Sequence, residues 1–156
     1  MPDTKLNIYE NAGALRPEDQ DLLRRAAENQ KLAYAPYSEF LVGAALITAQ
    51  GKIAGGANQE NASYPLCMCG ERVALYNSAV QFPGAEITTI AIVVRGKNPM
   101  VSPAPPCGAC LQVLREFESR QNEKPIRLLL KADSDVVWEV PSVKTMLPYS
   151  FDGSFL

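Results

Sequence analysis

Cys69 and Glu71 stand two residues apart, and Cys107-Gly-Ala-Cys110 follows later in the chain. Three thiols with a nearby carboxylate are the donors of a catalytic zinc site: three ligands, one open position and an acid/base beside it. The chain contains no histidine. Sulfur and carboxylate must therefore hold any metal, and protons must move through a carboxylate, Tyr, Lys or Cys.

Local geometry sets how these residues can meet. Residues two apart on a helix point about 200° apart, so Cys69 and Glu71 converge only just beyond a helix N-terminus. Cys107 and Cys110, three apart, share a face at the start of their own helix. Helix starts favour thiolate over thiol through their free N–H groups and positive partial charge. Three thiolates outweigh the charge of Zn²⁺, which weakens it as a Lewis acid. Arg72, directly after Glu71, can donate hydrogen bonds to thiolate sulfur and cannot deprotonate, so it is expected to tune the metal. Cys67 has two readings, a fourth ligand that would close the site or a small buried hydrophobe; the second is favoured. A structural zinc or a redox pair is the alternative use of the CxxC.

The elements that position these residues follow from periodicity. A helix is expected from about Pro17 to Ala33, with Leu22, Leu23, Ala26, Ala27 and Ala33 at helical spacing and Glu18 and Asp19 in its first turn. Leu41–Thr48 and Lys52–Ala57 read as a hairpin around Gly51, and 58–66 as a polar loop. A second helix covers Cys69–Ala79, with Val73, Ala74, Tyr76 and Val80 as its apolar residues. Thr89–Val94 is a buried strand, and Cys107–Glu118 is a third helix with Leu111, Val113, Leu114 and Phe117 inward. Ile126–Leu130 and Val136–Val140 are strands joined by a link too short for a parallel pair. Residues 142–147 suit a short helix, and residues 5–9 a short strand. The order implies an α/β, three-layer α-β-α fold. Its sheet is expected to be mixed and five-stranded, with the last two strands antiparallel. Right-handed crossovers place the second and third helix starts at one sheet edge.

The chain has 156 residues, 47% hydrophobic and 21% charged, with a net charge of −2 and a pI near 5.2. One domain over residues 1–156 is expected, with 1–15 as an N-terminal extension. Lys and Arg are interspersed with acids, which argues against a nucleic-acid partner. The N-terminus lacks the apolar core of a secretory signal, and no stretch approaches the length of a membrane-spanning helix. A cytoplasmic location and no membrane partner are expected, and reduced cysteines then point to metal.

At these residues the chain closely resembles the cytidine deaminase family of the small homotetrameric type. The resemblance runs from about Gln20 to Phe151. It rests on Ala35-Pro-Tyr-Ser-Glu-Phe-Leu-Val-Gly-Ala-Ala-Leu46, Asn58-Gln-Glu-Asn-Ala-Ser-Tyr64, Cys69-Gly-Glu-Arg72, Pro106-Cys-Gly-Ala-Cys110 with Gln112, and Leu147-Pro-Tyr-Ser-Phe151. It implies zinc on Cys69, Cys107 and Cys110, with Glu71 moving protons from water to ring N3 and then to departing ammonia while hydroxide attacks C4. It implies Asn58 and Glu60 as a clamp on the ribose 3′-hydroxyl, Phe40 as a wall of the base pocket, and the Gly70 N–H as a donor to the base carbonyl. Tyr64 and Phe151 would reach a neighbouring subunit's site in a homotetramer. Cytidine and deoxycytidine, in pyrimidine salvage, are the implied substrates. Other readings are a deaminase of another aminopyrimidine nucleoside such as a blasticidin-type antibiotic, a nucleic-acid editor, and a non-catalytic zinc module. The chain departs from the family pattern at Gly70 (commonly alanine), Val73 (threonine), Pro105 (serine) and Leu111 (arginine); the last places the charge compensation on Arg72.

Overall fold

A computed structural model describes residues 6–156. Among them, the main elements are strands β1 (Asn7–Tyr9), β2 (Leu41–Thr48), β3 (Ile53–Ala57), β4 (Ile87–Arg95), β5 (Arg127–Lys131) and β6 (Val137–Val140), and helices α1 (Pro17–Gln30), α2 (Gly70–Gln81) and α3 (Gly108–Arg120).

The strands form one sheet in the order β1-β6-β5-β4-β2-β3. β2 pairs antiparallel with both β3 and β4, β4 pairs parallel with β5, and β5 pairs antiparallel with β6. The sheet is thus mixed, with its last two strands antiparallel as expected, but it has six strands rather than five. The sixth is β1, which adds antiparallel to β6 with Asn7 opposite Glu139 and Tyr9 opposite Val137. A short strand is expected here, but as part of an N-terminal extension, because its pairing partner lies far along the chain and nothing local assigns it to the sheet. Lys5, the first residue of the expected strand, lies outside the described residues.

Strand side chains alternate between two helical layers. On one face Val42, Ala44, Leu46, Ile90, Ile92, Val94, Leu128 and Leu130 pack with Leu75 of α2 and Leu111, Leu114 and Phe117 of α3. On the other, Ala45, Ala91, Val93 and Leu129 pack with Leu22, Leu23 and Ala26 of α1. Coverage on both faces explains why β2 and β4 read as continuous apolar runs. At Gly43 a Cβ would fall 2.1 Å from the Ala26 carbonyl oxygen, so only glycine lets α1 lie this close to β2.

Two details of the expected helices differ. The first ends at Gln30, and Ala33 lies beyond it. On α2 the inward residues are Gly70, Glu71, Ala74, Leu75 and Ser78, whereas Tyr76 and Val80 are exposed. Apolar spacing points to the wrong face of α2 because two of its inward positions, Glu71 and Ser78, are polar. Residues 142–147 hold a single 3-10 turn, Val143–Thr145. No helix among the described residues is long and apolar enough to cross a membrane.

Candidate active site

The connections β3-α2-β4 and β4-α3-β5 each join parallel strands, so α2 and α3 both start at the same end of the sheet. Cys69 and Cys107 occupy the N-cap positions of α2 and α3 with extended backbones, and neither side chain caps its own helix. Both sulfurs are left for another partner. Cys110 lies in the first turn of α3 and is fully buried.

The sulfurs of Cys69, Cys107 and Cys110 all lie within 4.8 Å of one another, and Cys107 and Cys110 approach to 3.3 Å. Tetrahedral ligands with zinc–sulfur bonds of about 2.3 Å lie about 3.8 Å apart, so the cluster is the right size for one zinc ion. Among the described residues it is the one group of this kind able to hold a metal. Beside it, Glu71 is 4% exposed, and its Oε2 is buried without a hydrogen-bond partner. A buried carboxylate oxygen without a partner beside three thiols fits a metal centre with a bound water.

The electrostatics agree. The pKa of the Cys69 thiol falls to about 5, first because Cys110 hydrogen-bonds its sulfur and then because of Arg72; the same hydrogen bond pushes Cys110 up. Burial pushes the Glu71 carboxyl above its ordinary value. Arg72 Nη2 lies 3.9 Å from Cys69 Sγ, the placement that charge compensation requires.

Cys69, Glu71 and Cys107 open onto a cleft of about 260 Å³, with Cys110 fully buried behind them. Phe40, Asn58, Glu60, Cys69, Glu71 and Cys107 line it together, with Val42, Ile92, Val94 and Pro105 supplying apolar wall. Gly70 lies buried at the start of α2. Asn58 is held rigidly: its Oδ1 accepts from Val42 N at 2.8 Å and its Nδ2 donates to the Phe40 carbonyl at 2.8 Å. One N–H and one lone pair remain on its amide. Glu60 accepts from Tyr37 N at 2.8 Å, from Ser38 N at 3.3 Å and from the Ser38 hydroxyl. The Ser38 hydroxyl is the main reason its carboxyl sits below the ordinary value.

Tyr64 and Phe151 do not line this cleft. Both are exposed, Tyr64 edge-on to Tyr37 and Phe151 stacked on Phe155 at 5.7 Å. Cys67 is neither of the things expected of it. It is outside the three-sulfur cluster and is half-buried, lining the cleft. Its sulfur accepts from Asn61 N at 3.2 Å, so a local turn, rather than core packing, fixes it.

Three buried charges were not anticipated. Asp19, expected only as a first-turn acid, is 3% exposed and pairs with Arg127 and Arg16. Glu118 is 0% exposed and accepts from Ile126 N, Val143 N and the Ser142 hydroxyl. Arg115 is 5% exposed and binds the C-terminal segment. The signal was available for Glu118: it shares the helical spacing of Leu111 and Leu114, so a carboxylate falls on the apolar stripe. Ser38, which carries Glu60, gave no signal beyond its place in the Ala35–Leu46 segment.

Two parallel crossovers that bring three thiols and a buried carboxylate to one cleft define a zinc-centre protein of catalytic design on an α/β sheet. Residues 16–122 match the model of the cytidine and deoxycytidylate deaminase zinc-binding region, and the chain belongs to that family. It is 45% identical over 98 residues to a cytidine deaminase of Halalkalibacterium halodurans, covering 63% of this chain and 70% of that one. It is 35% identical over 133 residues to that of Sporosarcina psychrophila, covering 85% and 90%. The crystal structure of cytidine deaminase from Burkholderia pseudomallei superposes with a TM-score of 0.72 at 37% identity, covering 88% of this chain and all of that one.

Proposed function

We propose that the protein is a zinc-dependent hydrolase that converts cytidine or 2′-deoxycytidine and water to the uracil nucleoside and ammonia. One observation carries the choice of substrate: among the described residues, the cleft lining holds two carboxylates, Glu60 and Glu71, and no lysine or arginine. An uncharged nucleoside fits that lining, whereas a 5′-phosphate would meet like charge without a cation. The relatives bear the name cytidine deaminase, which favours cytosine nucleosides over another aminopyrimidine. An orphaned carboxylate oxygen facing the cleft favours catalysis over a purely structural zinc.

In this reading Cys69, Cys107 and Cys110 hold the zinc, which when bound acts as a Lewis acid and lowers the pKa of water to roughly 7. Glu71 takes a proton from the attacking water, passes it to ring N3 and later delivers a proton to the amino group leaving C4. Its raised pKa suits a group that must both accept and give. Phe40 and the apolar wall flank the base and exclude water, while the Gly70 N–H donates to the base carbonyl oxygen. Asn58 and Glu60 hold the 3′-hydroxyl with the hydrogen-bonding capacity their backbone contacts leave free. Arg72 offsets the excess thiolate charge. Tyr64 and Phe151, both exposed and outside the lining of their own cleft, complete a neighbour's in a homotetramer, Phe151 by packing on the base. Pyrimidine salvage in the cytoplasm is the setting that fits such a reaction.

The test is loss of cytidine absorbance with zinc-loaded wild type and with Glu71→Gln, run beside cytidine 5′-monophosphate. Glu71→Gln should lower turnover by ~10²–10⁴-fold, and the monophosphate should be a poor substrate. No turnover of either cytosine nucleoside by the wild type sinks the reading. A light-scattering mass of one 17.0 kDa chain refutes the tetramer.

A further inference from the structure

The C-terminal segment is tied down in an unusual way. From Ser150 to Leu156 no residue is buried, so hydrophobic packing cannot hold it, and an exposed segment of this kind frays unless something fastens it. The fastening is polar and comes from α3. Arg115 donates from Nε to Ser150 Oγ at 3.1 Å and from Nη2 to Asp152 Oδ2 at 2.6 Å, one residue on either side of Phe151. Gln112 Nε2 donates to the Phe151 carbonyl at 2.8 Å.

The rest of the guanidinium is equally engaged. Nη1 reaches Ser119 Oγ at 2.8 Å, and both Nη1 and Nη2 reach Glu123 Oε1 at 3.2 Å. All five N–H donors of the arginine therefore have acceptors. Glu123 is in turn gripped by Lys144 at 2.6 Å, and Asp152 accepts from Ser154 N and its hydroxyl. Burying a guanidinium is costly unless every donor is used. Here that expense goes into fixing a tail whose aromatic ring, Phe151, is 58% exposed. The clamp does not bury the ring; it holds it at a set place outside the molecule.

We propose that Arg115 is a positioning residue: through Asp152 and Ser150 it fixes Phe151 where the neighbouring subunit's cleft can receive it. This rests on the reading above, in which Phe151 packs on the base next door. α3 thereby serves two sites, carrying Cys107 and Cys110 for its own cleft at one end and the clamp for the neighbour's cleft further along.

The test uses the zinc-loaded full chain with Asp152→Asn, Asp152→Glu, Arg115→Gln and Phe151→Ala, and the double variant Asp152→Asn/Phe151→Ala. Asp152 is on the tail, so its variants report even where Arg115→Gln fails to fold. Carboxypeptidase trimming followed by intact mass should be faster in Asp152→Asn than in wild type and near wild type in Asp152→Glu; unchanged trimming overturns the clamp. For cytidine, Asp152→Asn should raise KM by roughly 2- to 10-fold, the range an aromatic contact commands, with kcat and zinc content within about twofold. Asp152→Glu should restore KM, and Asp152→Asn should add nothing in the Phe151→Ala background. A KM unchanged by Asp152→Asn but raised by Phe151→Ala, or independent multiplying effects, overturns the positioning role. Phe151→Ala without effect on KM overturns the neighbour-site reading itself, and the positioning role falls with it. A wild type that turns over neither nucleoside overturns the proposed activity while trimming still reports on the clamp.

Discussion

Gly70, the first residue of α2, lies in backbone contact with Val42 of β2: a Cβ at position 70 would fall 2.7 Å from the Val42 carbonyl oxygen. That oxygen accepts from Asn58 N at 3.0 Å, so it cannot yield without disturbing the segment that carries Asn58. Gly56 makes a matching contact from β3, where a Cβ would lie 2.4 Å from Ala74 N and 2.6 Å from the Gly70 oxygen. The start of α2, flanked by Cys69 and Glu71, is thus set by glycine against two strands.

Gly70→Ala would install the residue common in the family, yet this chain has no room for its methyl. Overpacking of this kind costs about 1–3 kcal/mol. A shift of the helix start by a fraction of an ångström should lower kcat/KM for cytidine by up to ~10²-fold. Urea unfolding and steady-state kinetics check the two effects. Wild-type values for both would show that the contact does not set the position of Glu71.

Arg72 should matter to the metal more than to the fold. Its guanidinium hydrogen-bonds the Cys69 sulfur, and position 111, where the family often places a second arginine, is leucine. Arg72→Gln keeps a donor but removes the charge that offsets the thiolates, and Leu111 supplies none in its place. Zinc affinity, measured by competition with a chromogenic chelator, should weaken roughly 10- to 100-fold, the usual effect of losing a partner of a metal ligand. Unchanged affinity and turnover would remove Arg72 from the zinc centre.

Much of the site was legible because its residues are local. Cys69-x-Glu71 and Cys107-x-x-Cys110 each lie at a helix start, and the crossover rule alone brings the two starts together. β2 is also local: its largely apolar run of eight residues needed no partner to be read. The parts that stayed hidden depend on distant chain. The strand at residues 7–9 is expected, but its place in the sheet is not, because β6, its pairing partner, lies some 130 residues further on. Arg115 looks like an ordinary surface residue of α3 until Ser150 and Asp152 return to it. Cys67 is expected as a small buried hydrophobe, and only the turn at Asn61, which the sequence does not announce, leaves it half-buried in the cleft wall.

Glu118 should be the most destabilising of the buried polar residues to truncate. Its carboxylate accepts from Ile126 N at 2.9 Å, Val143 N at 3.2 Å and Ser142 Oγ at 2.9 Å. It thereby joins α3 to the approach to β5 and to the Val143–Thr145 turn. Glu118→Ala leaves two buried N–H groups without partners, each at about 1–3 kcal/mol, so a total loss of about 2–6 kcal/mol is expected in urea unfolding. A loss below about 1 kcal/mol would mean that water replaces the carboxylate at no penalty.

The acid limb of stability should depend on Glu139. Burial raises its pKa, but hydrogen bonds from Arg127 Nη1 at 2.7 Å and Tyr9 at 2.6 Å outweigh that and hold the carboxyl below its ordinary 4.5. A carboxylate depressed in the folded state stabilises above its unfolded pKa, and that contribution is lost as pH falls through the folded value. Tyr9 works in the opposite window. Its hydrogen bond to Glu139 is the largest cause of a pKa raised above 10.0, so this contribution is complete below pH 10.0 and is lost as pH rises through the folded value. Glu139→Gln removes the first linkage and the largest cause of the second, leaving the burial of Tyr9. The urea midpoint should therefore fall less steeply below about pH 4.5 and again above about pH 10 than in wild type. Parallel pH profiles for the two proteins would show that the β1–β6 edge, where Tyr9 and Glu139 sit, opens before global unfolding and contributes nothing to it.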